Sequence, residues 1–371
     1  PVDPLDKWAT PPFDPTLRGD DLYARGASDD KGQTFIHVKA IEALLATTGR
    51  LPVNVKLLIE GEEEIGSPNL QGFIEANANR LRADCAVISD NTMPGSDQPG
   101  VTYSLRGSLS FELEVRGPVR DLHSGQFGGA VLNPLAAMAA ILDSLHHKDG
   151  RVAVEGFYDA VREIGTGERL FMAQYGPKED DLLRQAGVRT GWGEPGYSFH
   201  ERATIRPAIT INGVAGGYSG EGAKAVIPSI ASAKINIRLV PDQCADEIEV
   251  LLRRHIAAVA PPQAAVRLKT AMKSAPVVID RESPWMKAAV EAYRSGFGAA
   301  PVFVRSGGTI PVASMLMNTL GVAPVLLGFG SPGDNLHAPN ERFSLRTFGR
   351  AVRTSTAFLD AVARRARKAA A

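Results

Sequence analysis

The pattern of apolar and polar residues predicts a chain that begins with alternating strands and helices. Residues 53–59 alternate between apolar and polar side chains and become wholly apolar before Glu60, and residues 85–88 form a second apolar run, so both are typical of strands. Between them, Ser67 and Pro68 predict a helix start, because serine caps helices and proline favours the first helical position. Acidic residues follow both predicted strands. Ligands of open parallel sheets bind beyond the carboxyl ends of the strands, so this edge is the predicted site.

The pattern changes after Leu105, where residues 109–115 alternate strictly and predict a half-exposed antiparallel strand. The elements indicated further along are a helix capped by Asn133, a polar glycine-rich stretch through Gly222, a strand at 233–239, a helix capped by Asp242, a helix after Ser283, a strand at 302–304 and an apolar run at 322–327. We therefore predict an α/β fold. One domain, residues 1–105 and 275–371, contains a mostly parallel sheet and is interrupted by an inserted α+β domain, residues 106–274.

Acidic residues and one histidine fall where the predicted strands end. The candidates are Asp29 and Asp30 at a glycine-flanked helix start, residues 62–64 after the first strand, Asp90 after the second, and His337 in a glycine-rich loop after the run at 322–327. That loop matches a dinucleotide-binding motif, but no helix opens at its third glycine, so we reject the nucleotide interpretation. Each acidic motif alone is more typical of a solvated turn or a helix cap. Together, carboxylates and an imidazole favour a site for two ions of zinc or manganese.

The composition is that of an ordinary globular enzyme and gives no sign of a nucleic-acid or membrane partner. The 371 residues carry a net charge of +0, and 44% are hydrophobic, which is enough for two cores. No apolar run approaches the roughly 20 residues of a membrane span. Two cysteines, Cys85 and Cys244, provide no disulfide framework, so a cytoplasmic location is the simplest interpretation.

Several motifs in combination resemble a known family. In chain order they lie at residues 26–32, 60–67, 89–91, 121–125 and 237–241 and in the loop that carries His337. With these motifs the chain resembles the M20 metallopeptidases, and within them the dipeptidase branch that includes carnosinase-like enzymes, over nearly its whole length. The resemblance implies hydrolysis of the amide bond of dipeptides or short peptides by a metal-bridged water. It also implies two divalent metal ions, with zinc as the first choice and manganese or cobalt as alternatives.

The resemblance assigns roles to the acidic residues. Asp29 resembles the carboxylate that bridges both metals, Glu63 the general base, Glu64 a ligand of one metal, Asp90 a ligand of the other, and His337 a terminal ligand. It further implies that the peptide bond between Asp29 and Asp30 is cis.

Further residues are implicated in catalysis and substrate binding by the same resemblance. His123 would by default be a loop histidine, but the matching residue of the family reaches the neighbouring subunit's site and stabilises the tetrahedral oxyanion. Arg238 would by default be a solvated strand residue, but its planar guanidinium suits a substrate carboxylate. The loop at residues 305–311 resembles a substrate-carboxylate loop, with Gly308 and Thr309 as contacts. The resemblance also implies that residues 1–105 and 275–371 form the catalytic domain and that the inserted α+β domain, residues 106–274, is a lid that carries a homodimer contact.

One motif of the family is absent from the sequence. A His-x-Asp pair, whose histidine is a metal ligand, would lie immediately before Pro1. We therefore expect the sequence to be truncated at its N-terminus, and expect this form to bind only one metal well or to be inactive. The alternatives left open are an N-acyl amino acid amidohydrolase, a carboxypeptidase, and a non-catalytic dimeric fragment. The expected partners are a small peptide substrate and a second copy of the chain.

Overall fold

The protein, described for residues 1–370 by a computed structural model, has two hydrophobic cores built from different parts of the chain. One core draws on residues 24–105 and 277–361. The other draws on residues 109–256. The fold is mixed α/β, as the apolar patterns predict.

The strands and helices are bounded as follows. The strands are β1 (Thr16–Arg18), β2 (Asp21–Tyr23), β3 (Ala86–Ile88), β4 (Gly100–Leu105), β5 (Gly107–Arg116), β6 (Leu122–His123), β7 (Ala208–Gly216), β8 (Val226–Ile227), β9 (Ile230–Leu239), β10 (Ala265–Ser274), β11 (Val277–Val278), β12 (Val302–Ser306), β13 (Pro324–Leu327) and β14 (Arg342–Ser344). The α-helices are α1 (Lys31–Thr48), α2 (Leu70–Ala76), α3 (Ala78–Leu81), α4 (Ser124–Phe127), α5 (Pro134–Asp143), α6 (Thr166–Tyr175), α7 (Glu179–Ala186), α8 (Phe199–Thr204), α9 (Ala245–Val259), α10 (Pro284–Phe297), α11 (Pro311–Met315) and α12 (Leu345–Ala370).

The second core lies under an antiparallel sheet of four strands in the order β10-β5-β9-β7. The predicted alternation of β5 and β9 is confirmed, since Leu109 lies opposite Ile237 and Phe111 opposite Ile235, and all four are buried. Helix α5 begins at the predicted cap, where the Asn133 side chain accepts a hydrogen bond from Leu135 N–H. Apolar pairs directly opposite each other stabilise such a sheet, so its register follows from the sequence pattern.

The sheet of the first core has the order β11-β4-β13-β3, with β12 beside β4. Its pairing is more mixed than the sequence indicates: β12 is parallel to β4 and β13 to β3, whereas β13 and β11 run antiparallel to β4. Helices α10 and α12 pack so closely against each other that a Cβ on Gly296 would lie 1.9 Å from Thr354 Oγ1. The parallel pair β3 and β13 places the segments that follow these two strands at one edge.

Three local expectations are wrong. Residues 53–59 are not a strand, because no strand of the described residues runs beside them to complete their hydrogen bonds, and Ile59 is 69% exposed. Helix α2 begins at Leu70 rather than after the predicted cap at residue 67. Helix α9 begins after Cys244, whereas the predicted cap, Asp242, has a φ of +77°.

Candidate metal centre and substrate site

Three side chains from distant parts of the chain converge into a group that suits a metal ion. Asp29, Glu64 and His337 offer ligand atoms that all lie within 4.8 Å of one another. His337 Nε2 is 2.8 Å from Asp29 Oδ2 and 3.4 Å from Glu64 Oε2. Carboxylate oxygens and an imidazole nitrogen are donors that zinc and manganese accept, so this donor set fits a divalent cation.

The turn that carries Asp29 is held by a buried carboxylate that sequence reasoning missed. Glu341 is 0% exposed and accepts hydrogen bonds from the backbone N–H groups of Ser28 and Asp29, each at 2.9 Å, and of Gly26 at 2.8 Å. Arg25 Nη1 also donates to it at 2.8 Å. Glu341 directly precedes β14, and the turn of Asp29 follows β2. The pairing of β14 with β2 therefore brings Glu341 beside that turn. The one available signal is that this glutamate lies at the end of the loop that carries the candidate histidine.

The peptide bond between Asp29 and Asp30 is cis, as the resemblance predicts. Helix α1 begins at the next residue, and the Asp30 carboxylate accepts a hydrogen bond from Thr34 Oγ1 at 2.9 Å. The Asp29 carboxylate instead accepts from His337. The two neighbouring carboxylates therefore have different partners. Asp30 binds the first turn of α1, and Asp29 faces His337 in the candidate metal centre.

The loop of His337 is fixed at its base to the turn of Asp29. Asp334, 3% exposed, accepts hydrogen bonds from Ser28 Oγ at 2.9 Å and from Ser331 N–H at 2.7 Å. His337 itself has a φ of +58°, in the left-handed region that residues other than glycine rarely adopt. The hydrogen bonds of Asp334 therefore hold the loop that carries His337 against the turn that carries Asp29.

Asp90 and Glu63 lie beside the metal-ligand group. In the part of the chain that the structure describes, the group within 4.8 Å has three members, and neither residue is one of them. Asp90 follows β3, and its pKa is raised in part by the charges of Asp29 and Glu64. Glu63 begins a 3-10 turn, Glu63–Ile65, that also contains Glu64. Both residues are therefore close enough to interact electrostatically with the group.

Burial and mutual repulsion raise the pKa values of these carboxyl groups. Burial, followed by the charges of Asp90 and Glu64, raises the pKa of Glu63 to about 7. Burial, followed by the charge of Asp29, raises the pKa of Asp90 to about 6. The pKa of Asp30 rises to about 8, again by burial first and then by the charge of Asp90. A divalent cation would offset this repulsion, and a carboxylate with a pKa near neutrality suits proton transfer.

The predicted substrate-binding residues meet at a second place. Arg238 Nη1 donates to Thr309 Oγ1 at 2.8 Å, and Thr309 Oγ1 donates to the carbonyl of Arg106 at 2.7 Å. Gly308, exposed, accepts a hydrogen bond from the backbone N–H of Arg106 at 3.1 Å. Arg106 was not among the predicted site residues, because a lone arginine between two strands gives no signal of its own.

His123 stands apart from both groups. It ends β6, which pairs with β8, and its Nδ1 accepts a hydrogen bond from Gly125 N–H at 3.0 Å. The side chain is exposed. Within residues 1–370, no hydrogen bond or ion pair links His123 to the metal-ligand group or to Arg238.

Comparison with known proteins identifies the family. Residues 1–361 match peptidase family M20/M25/M40 along almost the whole chain. The chain belongs to this family. It is a peptidase, and M20 metallopeptidases use divalent metal ions, in agreement with the donor set of Asp29, Glu64 and His337.

Individual members of the M20 family are similar over nearly the full chain. The Cys-Gly metallodipeptidase dug1 of Schizosaccharomyces pombe is 33% identical over 94% of this chain and 74% of its own length. The human Beta-Ala-His dipeptidase is 31% identical over 93% of this chain and 69% of its own. The solved structure of an M20 family metallo-carboxypeptidase from Sulfolobus solfataricus matches with a TM-score of 0.89 and 34% identity, over 98% of this chain and 82% of that one.

Over the described residues of this M20 peptidase, no helix combines the length and the apolar character that crossing a bilayer requires.

Proposed function

We propose that this M20 peptidase is a dipeptidase that hydrolyses the amide bond of dipeptides or short peptides with the help of divalent metal ions. The observation that carries the proposal is the convergence of Asp29, Glu64 and His337 with Glu63 beside them. The similarity to two proteins named as dipeptidases supports dipeptides as the substrate class. The guanidinium of Arg238, which donates a hydrogen bond to Thr309 Oγ1, supports a substrate that ends in a carboxylate.

We assign the metal ligands as the resemblance implies. Asp29 would bridge two ions, Glu64 and Asp90 would each bind one of them, and His337 would complete the set. Zinc is the proposed metal, with manganese and cobalt as alternatives. The ions, when bound, would make a water molecule acidic near neutral pH and polarise the scissile carbonyl.

The remaining steps fall to the protein's own side chains. Glu63 would take the proton of the attacking water and deliver it to the leaving amine. Arg238, Thr309 and the exposed Gly308 would bind the substrate carboxylate. In a homodimer, His123 of one protomer would donate a hydrogen bond to the oxyanion in the site of the other, since it lies exposed on β6 away from its own protomer's group.

The domain division and the location of the enzyme complete the proposal. We assign residues 1–105 and 275–371 to the catalytic domain and residues 106–274 to a lid that also forms the dimer contact. The two separate hydrophobic cores support this division. Two free cysteines, Cys85 and Cys244, are consistent with the cytoplasm, which we propose as the location.

A carboxypeptidase is the second candidate, and one observation favours it. The Sulfolobus solfataricus structure is named as a metallo-carboxypeptidase and is 34% identical to this chain. A carboxypeptidase would also need a carboxylate-binding residue such as Arg238. The two activities differ in substrate length, because a dipeptidase requires the amino end of the substrate close to the scissile bond.

The experiment is a turnover screen of the purified protein supplied with zinc, manganese or cobalt. Its substrates are dipeptides, the corresponding tripeptides and N-acetyl amino acids. We expect slow hydrolysis of dipeptides, because the sequence lacks the histidine ligand of the His-x-Asp pair, and we expect this hydrolysis to be abolished by a chelator and restored by metal. Preferred cleavage of tripeptides would favour the carboxypeptidase, preferred cleavage of N-acetyl amino acids would favour an amidohydrolase, and a metal-loaded protein without turnover would contradict the proposal.

A further inference from the structure

Arg106 connects three stretches of backbone around the predicted carboxylate site. Its Nε donates to the carbonyl of Gly307 at 3.0 Å, and its Nη1 donates to the carbonyl of Arg206 at 3.3 Å. Its own backbone N–H donates to the carbonyl of Gly308 at 3.1 Å. Arg106 therefore holds the loop after β12 against the segment after α8, at the junction of β4 and β5.

The loop fits this place only with a glycine. A Cβ on Gly307 would lie 2.2 Å from the carbonyl oxygen of Ala203, which belongs to α8. Arg106 is hydrogen-bonded to Gly307, Gly308 and Thr309 in turn, and these contacts hold Thr309 in position. Thr309 Oγ1 in turn accepts from Arg238, so the two arginines are joined through one hydroxyl group.

The positive charges of Arg106 and Arg238 are not compensated by the protein. Across residues 1–370, neither guanidinium takes part in an ion pair, whereas the nearby Arg206 is paired with Glu194 at 2.6 Å. Burial, followed by the charge of Arg238, lowers the pKa of Arg106 to about 10. Two partly buried like charges destabilise each other unless an anion lies between or beside them.

We propose that Arg106 is a positioning and specificity-determining residue, which fixes the Gly307–Thr309 loop and adds a second positive charge to the site for the substrate carboxylate. The inference rests on the proposed function, because it deepens the role given there to Arg238. It predicts that selectivity for a free terminal carboxylate over its uncharged amide depends on both arginines.

The test compares Arg106→Gln and Arg106→Lys with the unaltered protein on alanylglycine and its C-terminal amide. Loss of a hydrogen bond to a charged group weakens binding by about 10- to 100-fold. Arg106→Gln should therefore lower the ratio of kcat/KM for the carboxylate substrate to kcat/KM for the amide by about that factor. The loss should fall mainly on KM of the carboxylate substrate. Arg106→Lys retains the charge but cannot donate to both carbonyls, so we expect a smaller loss.

Arg116→Gln is the matched control. Arg116 ends β5, is exposed and pairs with Glu114 within the lid sheet, so the ratio should stay at its unaltered value. If Arg106→Gln does not fold, as judged by circular dichroism, Arg106→Lys decides. An unchanged ratio in a folded Arg106 variant would overturn the inference.

A second readout separates this inference from the proposed function. The probe is the alanylglycine analogue in which CH₂–NH replaces the amide, together with its carboxamide, and binding is measured by calorimetry with a chelator present. Weaker binding of the acid probe in Arg106→Gln supports the inference even if the protein hydrolyses no dipeptide. Dipeptide hydrolysis with equal probe binding in both proteins would leave the proposed function intact and refute the role of Arg106.

Discussion

The acidic centre and the arginine site both hold charge that the protein leaves uncompensated, but with opposite sign. At the centre around Asp29 and Glu63, burial and repulsion raise the pKa values of carboxyl groups. At the arginine site, burial lowers the pKa values of Arg106 and Arg238. By contrast, the buried Arg305 is paired with Glu168 at 2.7 Å.

This difference indicates what each region does. Uncompensated charge that is costly to bury is retained where a ligand of opposite charge is expected, a cation at one site and a carboxylate at the other. The acidic centre should therefore govern the chemical step, and the arginine site should govern substrate affinity and selectivity. Mutations at the two places should separate into effects on kcat and on KM.

The largest effect is expected at Glu63. Glu63→Gln removes the proton acceptor while keeping the size of the side chain, so kcat should fall by about 10²- to 10⁴-fold. Metal content, measured by elemental analysis, should remain that of the unaltered protein, because Glu63 is assigned as the general base and not as a metal ligand.

Glu62→Gln is the neighbouring control for this variant. Glu62 accepts hydrogen bonds from Asn69 at the surface, so its loss should change kcat by less than about 3-fold. Equal activity of Glu63→Gln and the unaltered protein would exclude Glu63 as the general base.

His123 is expected to have the next largest effect. Loss of an oxyanion donor costs about 10²- to 10³-fold in kcat, so His123→Ala should show this loss with little change in metal content. Hybrid dimers made from His123→Ala and Glu63→Gln subunits should regain activity, because one of their two sites would combine an intact Glu63 with an intact His123 from the partner.

His147→Ala, an exposed histidine of the same part of the chain, is the control and should retain activity. If subunits exchange, as seen with differently tagged copies, and the hybrids stay inactive, His123 does not act across the dimer and reverts to a loop histidine.

The fold could be predicted where the sequence pattern and the local contacts agree. The alternation of β5 and β9 is sufficient, because each strand pairs with a neighbour of the same pattern. Residues 53–59 have an equally clear strand pattern but lack such a neighbour among the described residues. Helix α6 was missed because it buries only Met172 and is held from outside, through the ion pair of Glu168 with Arg305. The apolar pattern of a segment indicates which of its side chains are buried, but it does not indicate which other segment pairs with it or packs against it.

The site divides in the same way. Asp29, Glu64 and His337 were candidates because residue type and position at strand or helix ends carry a signal in the sequence. Glu341 and Arg106 act through hydrogen bonds to backbone groups about 310 and 200 positions away, respectively. Any residue supplies a backbone N–H or carbonyl, so the sequence gives no pattern that identifies such supporting contacts.

A weaker effect is expected at Glu341, which supports the acidic centre through the backbone of Asp29 and is not itself assigned as a metal ligand. Glu341→Gln replaces an acceptor of three backbone N–H groups, and residues that orient metal ligands typically contribute 10- to 100-fold in metal affinity, so zinc should bind about that much more weakly. Competition with a chromophoric chelator measures the change. Binding of the non-cleavable acid probe with a chelator present should not change, because the arginine site does not depend on the metal. Weaker probe binding would contradict the separation of the two regions.

The smallest effect is the pH dependence of stability without metal. Glu63 has a pKa raised from 4.5 to about 7 in the folded protein, so the unfolded chain ionises first as the pH rises. The contribution of protonated Glu63 to stability is therefore complete below about pH 4.5 and is lost as the pH rises through about 7. Glutamine cannot ionise, so Glu63→Gln should gain stability relative to the unaltered protein between pH 5 and pH 7.5.

Urea unfolding midpoints measured in chelator report this change. Added zinc should suppress the difference, because a bound cation offsets the same repulsion. A relative stability of Glu63→Gln that is equal at both pH values would mean that Glu63 is not part of the repelling acidic centre.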